Sequence, residues 1–316
     1  MFFPSCPNCF APPHVTGRRS YQRRVFCLAF LIAAMVLLLL CEQARAYQVL
    51  VVQSRREPAL DEALAGFRTA RLSERVIVLS DYGEADVVRI VREERPALVL
   101  AVGDSALAAA RKIRHVPVVA LMALGFPSMY GSHPNLGGIG MLASPERYLT
   151  LFRTMKRRRV GLLYHPAKSA WYLRQARQAA QRMDIELILR EVSTPRSALT
   201  QLDTLKGAVD ALWMLPDTSA VTRETVEAYF HFSQEQRVPV ISFAAPYLKL
   251  GAAAILELDR TDIGRQAGEM ALSILRGSDI AELPPGLPRR TTLKSNGSVL
   301  RHLDISPEIL DKLERE

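Results

Sequence analysis

Beyond residue 46 the chain contains no cysteine. Its four cysteines, Cys6, Cys9, Cys27 and Cys41, all precede that point. Residues 47–316 therefore cannot form a disulfide, offer a thiolate to a metal or use a cysteine nucleophile. Their stability must come from packing, and a stretch of that length can bury one or two sizeable cores. A Gly-Lys-Ser/Thr phosphate loop and a His-Glu-x-x-His site are also missing. The later histidines (His115, His133, His165, His231, His302) are scattered without metal spacing, so neither metal nor cofactor is expected. Cys6-x-x-Cys9 is half of a zinc pattern without a second ligand pair. The net charge is +9, but five Arg against one Glu fall in residues 1–46. Later basic residues are dispersed, apart from Lys156-Arg157-Arg158-Arg159, which reads as a solvated helix end. Nucleic-acid binding would want a basic stripe with interleaved aromatics, and no nucleic-acid partner is expected.

What is present begins with an export pattern. Arg18, Arg19, Arg23 and Arg24 precede the apolar run Val25–Cys41, and Ala44-Arg45-Ala46 follows it. A basic stretch, an apolar stretch and an A-x-A site make a secretory signal. Residues 1–46 are read as that signal, with cleavage after Ala46 leaving Tyr47 first, and the protein is expected in the periplasm. The 17-residue run is at the short end for an uncleaved anchor. A lipoprotein signal needs a small residue before Cys41, where Leu40 stands. The stretch before Arg18 is long for a leader, and the reading sets the functional start downstream, at Val15.

From Gln48 onward, short β-branched apolar runs alternate with amphipathic stretches. Strands are expected at Val49–Val52, Val76–Leu79, Leu98–Val102, Val118–Leu121, Val160–Tyr164, Ile185–Glu191, Ala211–Leu215, Pro239–Ser242 and Ala252–Leu256. Helices are expected at 57–70, 84–94, 104–114, 145–157, 168–183, 196–206, 220–236 and 261–276. Nearly continuous apolar strands are covered on both faces, and strict β-α alternation implies parallel sheets. The Gly/Pro-rich Gly125–Gly140 interrupts the alternation. The fold expected is therefore α/β, two Rossmann-like lobes with parallel sheets joined by a hinge. Lobe 1 is assigned 47–142 plus 244–276, lobe 2 is assigned 143–243 plus 277–300, and 301–316 is a C-terminal tail helix. Ligands of open α/β sheets bind beyond the carboxyl ends of the strands, which places the site in the cleft between lobes.

Val102-Gly103-Asp104-Ser105-Ala106 follows a strand and opens a helix. A Gly-Asp-Ser nucleophile would need a histidine and an orienting acid. No Asp-x-x-His is present, and the late His302 has Val299 at that spacing. The preferred reading is a tight turn at Gly103, a helix cap from Asp104 or Ser105, and a ligand contact. Gly138-x-Gly140-x-x-Ala143 matches a dinucleotide fingerprint by letter but follows a loop, and reads as hinge glycines. Strand ends at Tyr164, at Asp217-Thr218 and at Phe243, with Trp171 nearby, supply apolar walls and polar anchors. The candidate ligand-binding set is Asp104, Ser105, Tyr164, Trp171, Asp217, Thr218 and Phe243. The helix at 261–276 is expected to start on a Thr261 or Asp262 cap and to use Gly264 and Gly268 for close backbone packing.

Several segments together are similar to one family: Val209-Asp-Ala-Leu-Trp-Met-Leu-Pro-Asp-Thr218, Arg237-Val-Pro-Val240, Lys249-Leu-Gly-Ala-Ala253, Asp262-Ile-Gly-Arg-Gln-Ala-Gly-Glu-Met270 and Leu303-Asp-Ile-Ser-Pro-Glu-Ile-Leu310. The chain resembles the ABC-transporter substrate-binding proteins of the type I periplasmic fold whose better-known members bind aromatic amino acids. The resemblance implies a non-enzymatic, monomeric binder of an amino-acid-like small molecule that docks on an ABC permease. Two departures stand in the cleft. Gly125-Phe126-Pro127 replaces the usual Asp-Pro after the fourth strand, and the usual Asn-Ser is replaced near Lys168-Ser169-Ala170, whereas Asp217 is kept. The alternatives are an exported sensor or assembly partner of a membrane complex, and a serine esterase using Ser105.

Overall fold

A computed structural model of the chain describes residues 47–129 and 132–313. The expectations for residues 1–46, including signal, cleavage point and start, lie outside the described residues. Among the described residues no helix is long and apolar enough to cross a membrane.

Two sheets organise the fold. In the first, β1 (Val49–Gln53), β2 (Glu74–Val78), β3 (Leu98–Val102), β4 (Val118–Leu121) and β5 (Leu136–Gly138) lie in the order β2-β1-β3-β4-β5, all parallel. In the second, β6 (Arg159–Tyr164), β7 (Glu186–Glu191), β8 (Ala211–Trp213), β9 (Val240–Ser242), β10 (Ala254–Leu258) and β11 (Thr291–Ser295) lie in the order β11-β10-β9-β8-β6-β7. Only β11 runs antiparallel, on β10. Read from β7, the second sheet repeats the order of the first and adds one antiparallel edge strand.

The two-residue period of each strand explains why its whole run is apolar. Val49 and Val51 face one core, shared with α1 (Pro58–Phe67) and α10 (Arg260–Leu275). Leu50 and Val52 face the other, shared with α2 (Val87–Glu94) and α3 (Asp104–Ala110). The second sheet has the same arrangement. Trp213 faces a core built with α5 (Pro145–Thr154) and α6 (Pro166–Arg182), and Leu212 faces one built with α7 (Pro195–Asp203) and α8 (Arg223–Gln236). Trp213 is wholly buried against Tyr148, Tyr172 and Phe152, with ring centroids 4.9, 5.9 and 6.1 Å away. Burial raises the pKa of Tyr148 and Tyr172 well above the ordinary phenol value and holds both neutral.

The chain passes between the lobes three times. Ile139 lies in the first lobe's core and Ala143 in the second's. Leu258 packs against both, just before α10. Ile280 belongs to the first lobe, and the chain re-enters the second at β11, where Leu293 is core. Two passages are tied together: Gly140 donates its N–H to the Gly286 carbonyl at 2.8 Å, and Gly286 donates to Gly138 at 2.9 Å.

This topology corrects the lobe boundaries read from the sequence. Of residues 244–276, β10 belongs to the second sheet because it pairs in parallel with β9; only α10 joins the first lobe. Of residues 277–300, Ile280 remains with the first lobe. The expected tail helix is not one element. It consists of the end of α11 (Gly297–His302) and the one-turn α12 (Glu308–Asp311), with Leu303, Ile305 and Leu310 buried in the second lobe. Strands β5 and β11 were not expected. The first is three residues inside the glycine-rich loop, and the second is a polar edge strand.

Helix α10 opens on Asp259, whose side chain accepts from the Asp262 N–H at 2.8 Å, rather than on Thr261 or Asp262. Its close packing on α1 depends on glycine. A Cβ on Gly264 would lie 1.8 Å from the Ala63 carbonyl oxygen, and one on Gly66 would lie 2.0 Å from that of Thr261. Both obstacles are backbone, so the helices would have to separate. Gly264→Ala is expected to destabilise the fold by about 1–3 kcal/mol or more, read as a lower urea midpoint; an unchanged midpoint would contradict backbone-to-backbone packing here.

Candidate ligand cleft

In each lobe, the strand order reverses beside its first strand, and a hydrogen bond crosses the reversal. In the first lobe the chain leaves β3 through Gly103, at φ +88°. A Cβ there would meet the Ser54 hydroxyl oxygen at 2.6 Å. That oxygen, just after β1, accepts from the Ala106 N–H at 2.9 Å. Ser54 thus caps α3, the role the sequence reading gave to Asp104 or Ser105. Asp104 instead spans to the loop after β4, its Oδ1 accepting from the Gly125 N–H at 2.8 Å. That loop leaves β4 through Met122, a non-glycine residue at φ +55°. It continues into α4 (Phe126–Met129), which packs against α6 of the other lobe.

In the second lobe the bond across the reversal runs to Asp217. Its carboxylate is 3 % exposed and fully occupied. Oδ2 accepts from the His165 N–H (2.7 Å) and the Ser169 hydroxyl (2.6 Å). Oδ1 accepts from the N–H groups of Ser219 (2.9 Å) and Ala220 (3.4 Å). One side chain therefore joins the end of β6, the first turn of α6 and the loop after β8. Behind it, the Tyr229 hydroxyl is buried without a hydrogen-bond partner; burial first, and then the Asp217 charge, raises its pKa. In the first turn of α6, Lys168 donates to the hydroxyls of Thr218 (2.6 Å) and Ser219 (2.8 Å).

Between these two sets of strand ends lies a cavity of about 230 Å³. The first lobe and the first passage line it with Asp104, Leu124, Gly125, Pro127, Ser128, Met141 and Leu142. The second lobe adds Lys168, Ser169, Leu215, Pro216, Asp217 and Thr218. Of the candidate residues, Asp104, Asp217 and Thr218 line the cavity together. Ser105 is exposed on α3 outside the lining. Tyr164 is buried and donates its hydroxyl to Glu191 at 2.8 Å, toward the sheet edge. Trp171 packs half-buried on the core of its own lobe. Phe243 stacks edge-on at 5.1 Å with Tyr247 of the short α9 (Pro246–Leu250). Lys168 and Ser169 were noted in the sequence but not chosen; their signal was their place in the first turn after His165-Pro166. Among the described residues no cluster of three or more metal-ligating side chains occurs.

The model of the ABC transporter substrate-binding protein family matches residues 52–313. The chain belongs to that family. This family comprises binding proteins rather than enzymes, tied in general to a small-molecule ligand and an ABC transporter. A curated relative, a tyrosine-binding protein of Clostridioides difficile (strain R20291), is 22 % identical over 183 residues, which is 57 % of this chain. The match spans only 52 % of that relative. Among solved structures, the ligand-free, open form of a substrate-binding protein with adhesive properties from Clostridium difficile superposes with TM-score 0.62 at 18 % identity. It covers 82 % of this chain and 95 % of its own. A domain in complex with L-Trp from Streptococcus pneumonia gives TM-score 0.57 at 16 % identity, covering 83 % and 97 %. At these identities the likeness establishes a shared fold, the two-lobed type I periplasmic architecture expected from the sequence.

Because Asp217 ties residues 165–169 to its own turn through one buried charge, Asp217→Ala strands several donors at once. A cost of about 1.5–3 kcal/mol is expected for the set acting as a unit, measured by urea denaturation without ligand. A loss under about 0.5 kcal/mol, as at ordinary surface sites, would show that the loop does not need the carboxylate.

Proposed function

We propose that this family member is an exported solute-binding protein that captures an amino-acid-like small molecule between its lobes and delivers it to an ABC permease. The observation that carries this reading is the cavity itself, lined from both lobes at the carboxyl ends of their strands, where ligands of open α/β sheets bind. Its volume of about 230 Å³ lies below the ~300–1,000 Å³ of pockets for drug-sized ligands and suits a small solute. Asp104, Asp217 and Thr218 from the expected set contribute to it. Two of the three lobe-to-lobe passages are paired through Gly138, Gly140 and Gly286, and bending there would open and close the cleft. The relatives' ligands, tyrosine and L-Trp, favour the amino-acid class. The apolar run followed by Ala44-Arg45-Ala46 supports export to the periplasm, where the protein acts as a monomer without cofactor or nucleic acid.

Screening the twenty amino acids by thermal shift tests the binding reading. A ligand at a hundred times its Kd adds about 2.7 kcal/mol, a rise of about 5 °C or more for a chain of this size. No shift with any of them would overturn the amino-acid reading. For export, protein recovered from the periplasm is expected to begin at Tyr47; recovery of an intact leader there would overturn cleavage.

A further inference from the structure

The polar groups of the cleft differ in how much bonding capacity they have left. Asp217 has none to spare, since four donors already occupy it. Ser169 donates to Asp217, and Ser128 donates to the Gly125 carbonyl at 2.8 Å. Lys168 is different. An ammonium carries three N–H donors, and two of them reach Thr218 and Ser219. Among the described residues the third has no partner and no carboxylate lies within ion-pair distance of Lys168, although many other Lys and Arg side chains are paired. Across the cavity, Asp104 uses one oxygen on Gly125, and its other oxygen has no partner among the described residues. The remaining wall is aliphatic: Leu124, Pro127, Met141, Leu142, Leu215 and Pro216. Leu124 is 37 % exposed, one of few large apolar side chains so placed among the described residues. No aromatic ring is among the described lining residues, because Tyr164, Trp171 and Phe243 are all engaged elsewhere.

We infer that the cleft selects a small aliphatic amino acid rather than an aromatic one, with Lys168 as the anchor of its carboxylate and Asp104 facing its ammonium. This rests on the proposed binding of an amino-acid-like solute and names the subclass. A carboxylate arriving at Lys168 supplies the missing charge partner without displacing Thr218 or Ser219, and those two hydroxyls hold the ammonium in place beforehand. An aliphatic side chain then meets only apolar neighbours. Among the described lining residues a phenol or indole would find no ring to stack on, the Asp217 oxygens are occupied, and the free Asp104 oxygen faces the ammonium.

Isothermal titration of the full-length mature protein separates the possibilities. The probes are alanine, valine, leucine, tyrosine, tryptophan and 3-methylbutylamine, which is leucine without its carboxylate. One of the aliphatic amino acids is expected to bind tightest, and 3-methylbutylamine at least about 10-fold more weakly than leucine, as expected for a lost charge-assisted hydrogen bond. Lys168→Gln is expected to weaken the best ligand about 10–100-fold, and Lys168→Arg to recover part of that loss. Because Lys168 is exposed, the urea midpoint of the ligand-free Gln variant should match the parent and exclude misfolding. Tighter binding of tyrosine or tryptophan, or equal affinity in Lys168→Gln, overturns this assignment while leaving the solute-binding reading intact. Silence with these five amino acids and across the twenty-amino-acid thermal-shift screen overturns both this assignment and the amino-acid reading.

Discussion

A carboxylate removed from water must be solvated by the protein, and Asp217 is the point where the second lobe meets that demand. Its four donors come from two stretches of chain far apart in sequence: His165 and Ser169, where β6 passes into α6, and Ser219 and Ala220 in the turn after β8. These stretches have no covalent reason to meet. They meet because an unsatisfied buried charge would cost several kcal/mol, so the local backbone is arranged around it. Lys168 and Thr218 reach the cleft only because Asp217 fixes the turn on which Thr218 sits and the helix start on which Lys168 sits. The first lobe makes an analogous junction with neutral groups, through Ser54 and the N–H of Ala106.

Repeated topology places these two junctions face to face. Each sheet reverses its strand order beside its first strand, and each reversal opens a crevice at the carboxyl edge. The three passages between lobes set the distance between the crevices. Tight contact of α1 on α10 through Gly66 and Gly264 fixes the helix that begins immediately after the second passage. The cleft geometry therefore rests on backbone packing remote from any ligand-facing side chain.

The chemistry left over in the cleft comes from this division of labour. Residues that build the junctions spend their hydrogen-bonding capacity doing so: Asp217, Ser169 and Ser54 are structural first. The groups that keep capacity, Lys168 and one oxygen of Asp104, carry opposite charge and come from opposite lobes. The aromatic side chains, which sequence composition would place at a ligand for an aromatic solute, are spent on cores and edges, as the Trp213–Tyr148–Tyr172 cluster shows.

The sequence by itself determined the lobes, because parallel strands covered on both faces must be apolar along their whole length, and nine such runs stood out between amphipathic helices. It also determined close packing at Gly264, since only a residue without Cβ permits it. It placed Asp104, Asp217 and Thr218 at strand ends, and those three do meet. It could not place β5 and β11, whose pairing depends on neighbours distant in the chain rather than on their own pattern. Nor could it assign β10 to its lobe, because strand partnership is decided by register with β9. The direction of a side chain beyond a strand end was likewise undetermined. Tyr164 turns to Glu191, Trp171 to the core and Phe243 to Tyr247 because each finds burial or a partner there, whereas Lys168, with two hydroxyls beneath it and no acid paired with it among the described residues, stays in the cleft. Only the tertiary structure decides which groups at the same strand ends are already satisfied and which remain for a ligand.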